Sequence, residues 1–437
     1  MASANLSKTP GSAGNRKKFN FSFWIKGNDF VSDYIFFSAS GSTESAIIFD
    51  SSSRLEFYEY NGSSKTTKIT TKRVFKDPSA WYHIVVSIDT TQSTSTNRVK
   101  LYVNGSQETD LENTTYGAQD FDSLFNNTTT QYIGSTASGG NFDGLMTHIH
   151  FNDGYTYDPS SFGETDTTSG IWKPKTAPSV TYGSNGYFLK FENSGAMGTD
   201  SSGNSNTYAV SGTLTQNVDS PTNNFATLNP LFYTTTSGTL DFGNRNFTKS
   251  SSVNRSCFST LAPSAGKWYC EVKVANDTDC KLGIADISAN YNFNGQTLDF
   301  SDSTYGYSYN EAGTKSVAGN SSSYGTGYNA ADIIGIAMDL DNSKLYFSLN
   351  GTFQDSGVPT SGSTGTGAIS INAGGTYAFA GKVNGGTDLG FNFGSGDYST
   401  SSTVASGNAD DNGIGSFEYD VPAGYYALCT KNIKEFG

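Results

Sequence analysis

The run from Asp332 to Gly351, DIIGIAMDLDNSKLYFSLNG, constrains the fold of this chain more than any other segment, because it spells out an antiparallel β-hairpin. Ile334, Ile336, Met338 and Leu340 fall on one side of a strand of period 2. Leu345, Phe347 and Leu349 repeat the pattern after a turn at Asp341, Asn342 and Ser343. Asn350-Gly351 supplies the residue types that most readily take positive φ, so a second turn follows directly. Two half-buried antiparallel strands are expected.

With 437 residues there is room for two large all-β domains. Apolar residues make up 35% and charged residues 15%, and Ser, Thr, Asn and 49 Gly fill the deficit, a mixture that by itself points toward disorder. The aromatic content of 14%, with 30 Phe and 26 Tyr, reverses that reading, because each ring buries a large apolar area. A net charge of −13 disfavours nucleic acid or an anionic membrane as the main partner. The basic patch Arg16-Lys17-Lys18 reads as a solvated entrance to a strand. No segment approaches the ~18 consecutive apolar residues of a membrane span, and residues 1–7 lack the apolar core of a signal peptide, so cytosolic synthesis is expected. Cys257, Cys270, Cys280 and Cys429 show no CxxC spacing; reduced core thiols are expected, with a disulfide as the alternative.

Strands dominate the rest of the chain, and no convincing amphipathic helix is legible. The first is expected at 19–26, with Phe19, Phe21, Phe23 and Ile25 on one face. Others follow at 34–38, 45–50 and 55–60, and 81–89 pairs with 98–105 across a polar loop. Residues 170–230 shift to Pro, Gly, Ser, Thr and Asn around one strand at 186–191, which is expected to pack back on the first domain. A second series starts at 266–274 and continues through 281–286 and 304–310 to the hairpin. Strand-turn-strand spacing without helices implies sandwiches of the jelly-roll type. The expected division is 1–216, with its core at 15–160, then a Gly/Ser/Pro/Asn-rich linker at 217–239, then 240–437.

In their order FNFSFWIKG, WYHIVVSID, RVKLYVNG and FDGLMTHIHF resemble the laminin-G-like branch of the concanavalin A-like lectin/glucanase superfamily over residues 15–160. GKWYCEVKV, KLGIAD, TYGYSYN and the hairpin are similar to the SPRY domain over 255–395. That pattern usually has Gly before the Asp of the hairpin, and Ala331 stands there instead. DGYTYDPSSFGETD and the tail GSFEYDVPAGYYALCTKN resemble structural proteins of tailed bacteriophages, especially marine ones. The fold class expected is therefore all-β, two concanavalin A-like antiparallel β-sandwiches.

Enzyme signatures are weak. Glucanases of this superfamily place acids on alternate residues of one strand, commonly as ExDxxE. No such run occurs, and Glu56 and Glu59, three apart, are expected on opposite faces. His148 and His150 share a face by period 2, and with Asp143 and Asp153 offer metal ligands; the alternative is a polar outer face over an inner Met146 or Ile149. Asp339 and Asp341 offer oxygens to calcium, although a hairpin turn explains them without it. Recognition is expected at the loop aromatics and amides Tyr291, Asn292, Phe293, Asn294, Tyr324 and Tyr328, which suit a sugar face or a protein epitope, unless Tyr324 and Tyr328 plug the core rim.

The resemblance implies a non-enzymatic virion protein: a fibre, tail appendage or capsid-attached decoration used for host adhesion. A purely architectural role and glycan depolymerisation are the alternatives. Expected partners are other virion proteins of capsid or tail, bacterial surface glycan and further copies of the chain. Nucleic acid and membrane insertion are not expected, nor is a cofactor, calcium being the alternative.

Overall fold

Alternation of large apolar residues with small polar ones builds two compact units, 1–216 and 217–437, in the computed structural model. The structure describes residues 4–28, 34–167, 170–231, 238–249, 254–276, 279–288, 299–396, 398 and 406–437.

In the first unit an eight-stranded sheet faces a six-stranded one. Lys18–Gly27 lies inside the smaller sheet, paired with Tyr82–Asp89 on one side and Gly144–Asp153 on the other. Its inward residues Phe19, Phe21, Phe23 and Ile25 are fully or almost fully buried. Phe21 and Phe23 meet Phe37 of the opposite sheet at ring-centroid distances of 4.8 and 4.7 Å. Each such ring contributes about 1.5–3 kcal/mol of burial. The strand expected at 186–191 is Tyr187–Leu189, which pairs with Gly144–Asp153 at the sheet edge. Arg16 donates to the Asp122 and Ser123 carbonyls, while Lys17 and Lys18 reach Asp120 and Asp89.

In the second unit a nine-stranded sheet faces a six-stranded one. The hairpin is Ile333–Asp339 with Lys344–Leu349, in register Ile336↔Phe347. Ile334, Ile336, Met338, Leu345 and Phe347 enter the core. Ser343, Asn350 and Gly351 take the positive φ that the turns require, 55°, 48° and 81°. The strands are not half-buried, however. Ala337 and Tyr346, on the opposite face, are buried with Phe225, Tyr269, Phe417, Tyr425, Ala427 and Cys429. The C-terminal segment thus covers the outer face.

Two further expectations change. Residues 217–239 are not simply a linker: the Ala226 N–H donates to the Leu428 carbonyl at 2.9 Å, and Phe225, Ala226 and Leu228 are buried in the second unit. A helix also exists, Thr430–Phe436, whose Ile433 and Phe436, one turn apart, pack on the core. It is too short for its periodicity to register in sequence. All four cysteines are buried thiols that form no disulfide.

One carboxylate anchors the C-terminal cover. Glu271, 0% exposed, accepts from Tyr398 Oη, from the Glu418 and Tyr419 N–H groups at 2.8 and 2.9 Å, and from Tyr269 Oη at 3.2 Å. Burial pushes its acid form upward, and these donors work against that shift.

Ala331, standing where the SPRY pattern usually has Gly, adopts φ 77°, and its N–H donates to the Val274 carbonyl at 2.7 Å. An L-residue held there costs roughly 1–2 kcal/mol. Ala331→Gly should therefore stabilise the second unit by up to about 1 kcal/mol after the added unfolded-state entropy of Gly. Denaturant melts of the two proteins check this, and an unchanged or lowered midpoint would contradict it.

Candidate functional site

Tyr324 and Tyr328 are core residues rather than contact residues. They are 6% and 2% exposed, and both rings pack on Tyr309 at centroid distances of 5.4 and 5.1 Å. Tyr328 Oη donates toward the carbonyls of Cys280 and Tyr309, and Tyr324 Oη accepts from the Phe347 N–H. Of the two readings open for these residues, the core-rim one holds; aromatic residues among glycines look alike in sequence whether they face water or close a core. Tyr291, Asn292, Phe293 and Asn294 lie outside the described residues.

His148 and His150 lie on one side of their strand, but through a bulge rather than by simple alternation. The register slips between Thr147 and His150, and His148 takes φ 48°. Both imidazoles approach Phe188, at 6.0 and 3.9 Å. Ile149 points into the core, with Met146 packed against it. The outer side is covered by residues of 157–167 and 170–182. His150 Nδ1 bonds Tyr182 Oη at 2.9 Å, and His83, stacked on Trp24, accepts from Trp172 Nε1 at 3.0 Å. That bond leaves the His83 proton on Nε2, facing Ser22 Oγ at 2.9 Å. Asp153 is engaged elsewhere, by Asn15 N–H, Asn126 Nδ2 and Asn185 N–H, and Asp143 by Asn28 Nδ2. Among the described residues no three His, Cys, Asp or Glu side chains gather as metal ligands.

The acidic candidates are similarly occupied. Asp339 holds Lys267 at 3.0 Å and both donors of Asn342, while Asp341 accepts from the Gly266 N–H. Glu56 and Glu59 do sit on opposite faces. Glu56 is bound by Lys65, Lys68 and Thr70. Glu59, buried toward the core, is bound by Ser45 and Ser123, and burial pushes its carboxyl up to about 7.

A different cluster emerges on the outer side of the second unit's six-stranded sheet. Lys281 and Lys382 stand directly opposite each other on adjacent strands, Lys281–Asp286 and Tyr377–Val383. Like charges so placed repel, so each needs its own acid. Lys382, 1% exposed, bonds Asp279 at 2.6 Å, and Lys281 bonds Asp299 at 2.6 Å with Asp302 at 3.6 Å. Burial works to raise Asp279, but hydrogen bonds from Lys382 and Asn384 outweigh it and hold the carboxyl low. Glu311 goes the other way: burial first, and the nearby Asp279 charge with it, raise its carboxyl. Glu311 Oε2 and Asn384 Oδ1 are buried acceptors without a hydrogen-bond partner. Sequence reading missed this cluster because its members are scattered from 279 to 384 and meet only through strand register.

Residues 3–156 match the family described as concanavalin A-like lectin/glucanases superfamily, and residues 267–372 match the SPRY domain. The ATP-dependent RNA helicase DDX1 of Xenopus laevis is 33% identical over 95 residues, covering 22% of this chain and 12% of the helicase. Among solved structures, the SPRY domain of human HERC1 is similar at 10% identity and a TM-score of 0.30, over 38% of this chain and 96% of that domain. The heptameric SAP-like pentraxin of Limulus polyphemus is similar at 18% identity and a TM-score of 0.25, over 34% and 70%.

The imidazoles under the first unit's outer cover titrate abnormally. Burial lowers His83 to about 3 and His148 to about 4, and carries His150 well below 6.5. Because the unfolded chain takes up these protons near 6.5, their stability is complete above that pH and drains as pH falls toward 3. Glu59, raised to about 7, acts oppositely between 7 and its ordinary 4.5. Comparison with His83→Gln isolates one imidazole: the variant's loss of stability on acidification should be shallower by up to ~1.4 kcal/mol per pH unit. Parallel slopes in pH-dependent urea melts would contradict this assignment.

Proposed function

We propose that this chain, in which a concanavalin A-like domain is joined to a SPRY domain, is a virion structural protein of a tailed bacteriophage. It serves as a fibre, tail appendage or capsid-attached decoration that displays two binding modules for host-surface adhesion. The concanavalin A-like and SPRY folds are compatible with binding modules. The phage assignment rests on the likeness of DGYTYDPSSFGETD and GSFEYDVPAGYYALCTKN to phage structural proteins.

The observation that carries the adhesive reading is the pair of partnerless acceptors, Glu311 Oε2 and Asn384 Oδ1, beside the Asp279–Lys382 pair. Acceptor oxygens flanked by lysine donors suit sugar hydroxyls, which both give and take hydrogen bonds. A single weak site of this kind gains strength through many copies on one particle. Glu56 and Glu59 point to opposite faces and are held by structural partners, an arrangement unsuited to the acid–base pair of a glycosidase.

A glycan array run beside a reducing-sugar release assay tests this reading. Binding without release is expected; Glu311→Gln should weaken the signal about tenfold, the worth of one hydrogen bond to a charged group, and Asn384→Ala by a smaller factor of about 2–10, the worth of a neutral one. Release of sugar would favour depolymerisation, and neither binding nor release would favour a purely architectural role. Labelling of the protein on intact particles, imaged at low resolution, tests the virion assignment separately.

A further inference from the structure

Three short strands at one edge of the second unit's larger sheet bring together oxygens that lack donors. Thr239–Asp241 pairs with Asn246–Thr248, and that strand with Asp388–Asn392. Leu240, Phe247 and Leu389 turn toward the core, so alternation puts Asp241, Asn246 and Asp388 on the outer face. Asp241 lies directly across from Asn246. Across Asn246 on the other side is Gly390, two residues along from Asp388. Gly390 has no side chain, and the Tyr398 carbonyl oxygen occupies the space where a Cβ would point. Two carboxylates, one amide oxygen and one backbone carbonyl thus share a single patch. Lys273 stands on the far side of Gly390, away from Asp241 and Asn246.

Two of these oxygens are orphans. Asn246 is 2% exposed and its Oδ1 is buried without a hydrogen-bond partner; Asp388 Oδ1 is buried without one as well. The Asn246 side chain bonds the Asp388 carboxylate, which uses the donor end of the amide and leaves only acceptors over. Two acceptors cannot relieve each other, so each carries the desolvation penalty of an unmade bond. Burial raises the Asp388 carboxyl against the help of Asn246, and the Asp241 charge adds to the rise.

We propose that Asp241, Asn246 and Asp388, with the Tyr398 carbonyl, form a binding site for a calcium-like divalent cation. All four are hard oxygen ligands; calcium takes 6–8 of these in a flexible geometry, with water completing the shell. Softer metals that favour sulfur or imidazole find neither in this set. The cation supplies a positive partner for the two orphan oxygens, Asn246 Oδ1 and Asp388 Oδ1, and it ties the hairpin Thr239–Thr248 to the strand Asp388–Asn392. The site is separate from the Glu311–Asn384 cluster, so it stands whether or not that cluster binds glycan.

The full-length chain, stripped with EDTA, is titrated with Tb³⁺ and then with Ca²⁺. Tyr398 should sensitise terbium emission, Ca²⁺ should quench it by displacement, and Ca²⁺ alone should raise the thermal midpoint. Asp388→Asn and Asp241→Asn should each weaken calcium affinity about tenfold or more. A wild-type midpoint indifferent to calcium overturns the proposal, as does an affinity unchanged in both variants; buried water would then serve these oxygens. If Asp388→Asn does not fold, by circular dichroism without calcium, Asp241→Asn decides alone.

Discussion

A polar group buried on the outer face of a sheet costs free energy unless it finds a partner, and both units are organised by that constraint. Each sandwich has the expected apolar interior, but its sheets do not leave their outer faces simply to water. In the first unit Ser22, His83 and His150 lie almost wholly buried and hydrogen-bonded beneath a covering segment. In the second, Glu271 gathers four donors and binds the C-terminal segment over Tyr269, Ala337 and Tyr346. The same cover buries Phe417, Tyr425 and Ala427 against that face, so apolar burial and these hydrogen bonds hold it together. The low charge content and the wealth of Ser, Thr and Asn therefore have a structural use, as material for polar layers between packed sheets.

Covering those faces also decides where recognition is plausible. Surfaces closed by a third layer hold their histidines neutral and their acids engaged, and so are poor places for ligands. What stands out is the cluster in which acceptors outnumber donors. Around Asp279, Lys281 and Lys382 each lysine has its own acid, yet Glu311 and Asn384 keep an oxygen each without a partner. At the hairpin edge Asn246 and Asp388 do the same beside a second carboxylate. The first arrangement offers both donors and acceptors and suits a hydroxylated ligand. The second offers acceptors only and suits a cation.

Much of the fold was legible because its signals are local. The strand at Phe19–Ile25, the hairpin around Ser343 and the turn at Asn350-Gly351 each follow from period 2 and from residues that accept positive φ. The bulge at His148 was not legible, since nothing in the string LMTHIHF announces an extra residue. Nor was the outer burial of Ala337 and Tyr346: a strand covered on one face and a strand covered on both can carry the same inward pattern. The candidate site fared worse. Tyr324 and Tyr328 fitted both a binding loop and a core rim in sequence, and the structure places them in the core.

The sequence by itself determined which residues form strands and which of their faces turn inward, because those properties depend on neighbours one or two positions away. Only the tertiary structure decided that Lys281 meets Lys382 and that Asn246 lies between Asp241 and Asp388, and which segments cover the sheets. These depend on the register between strands far apart in the chain, where a shift of one residue would send each side chain to the opposite face.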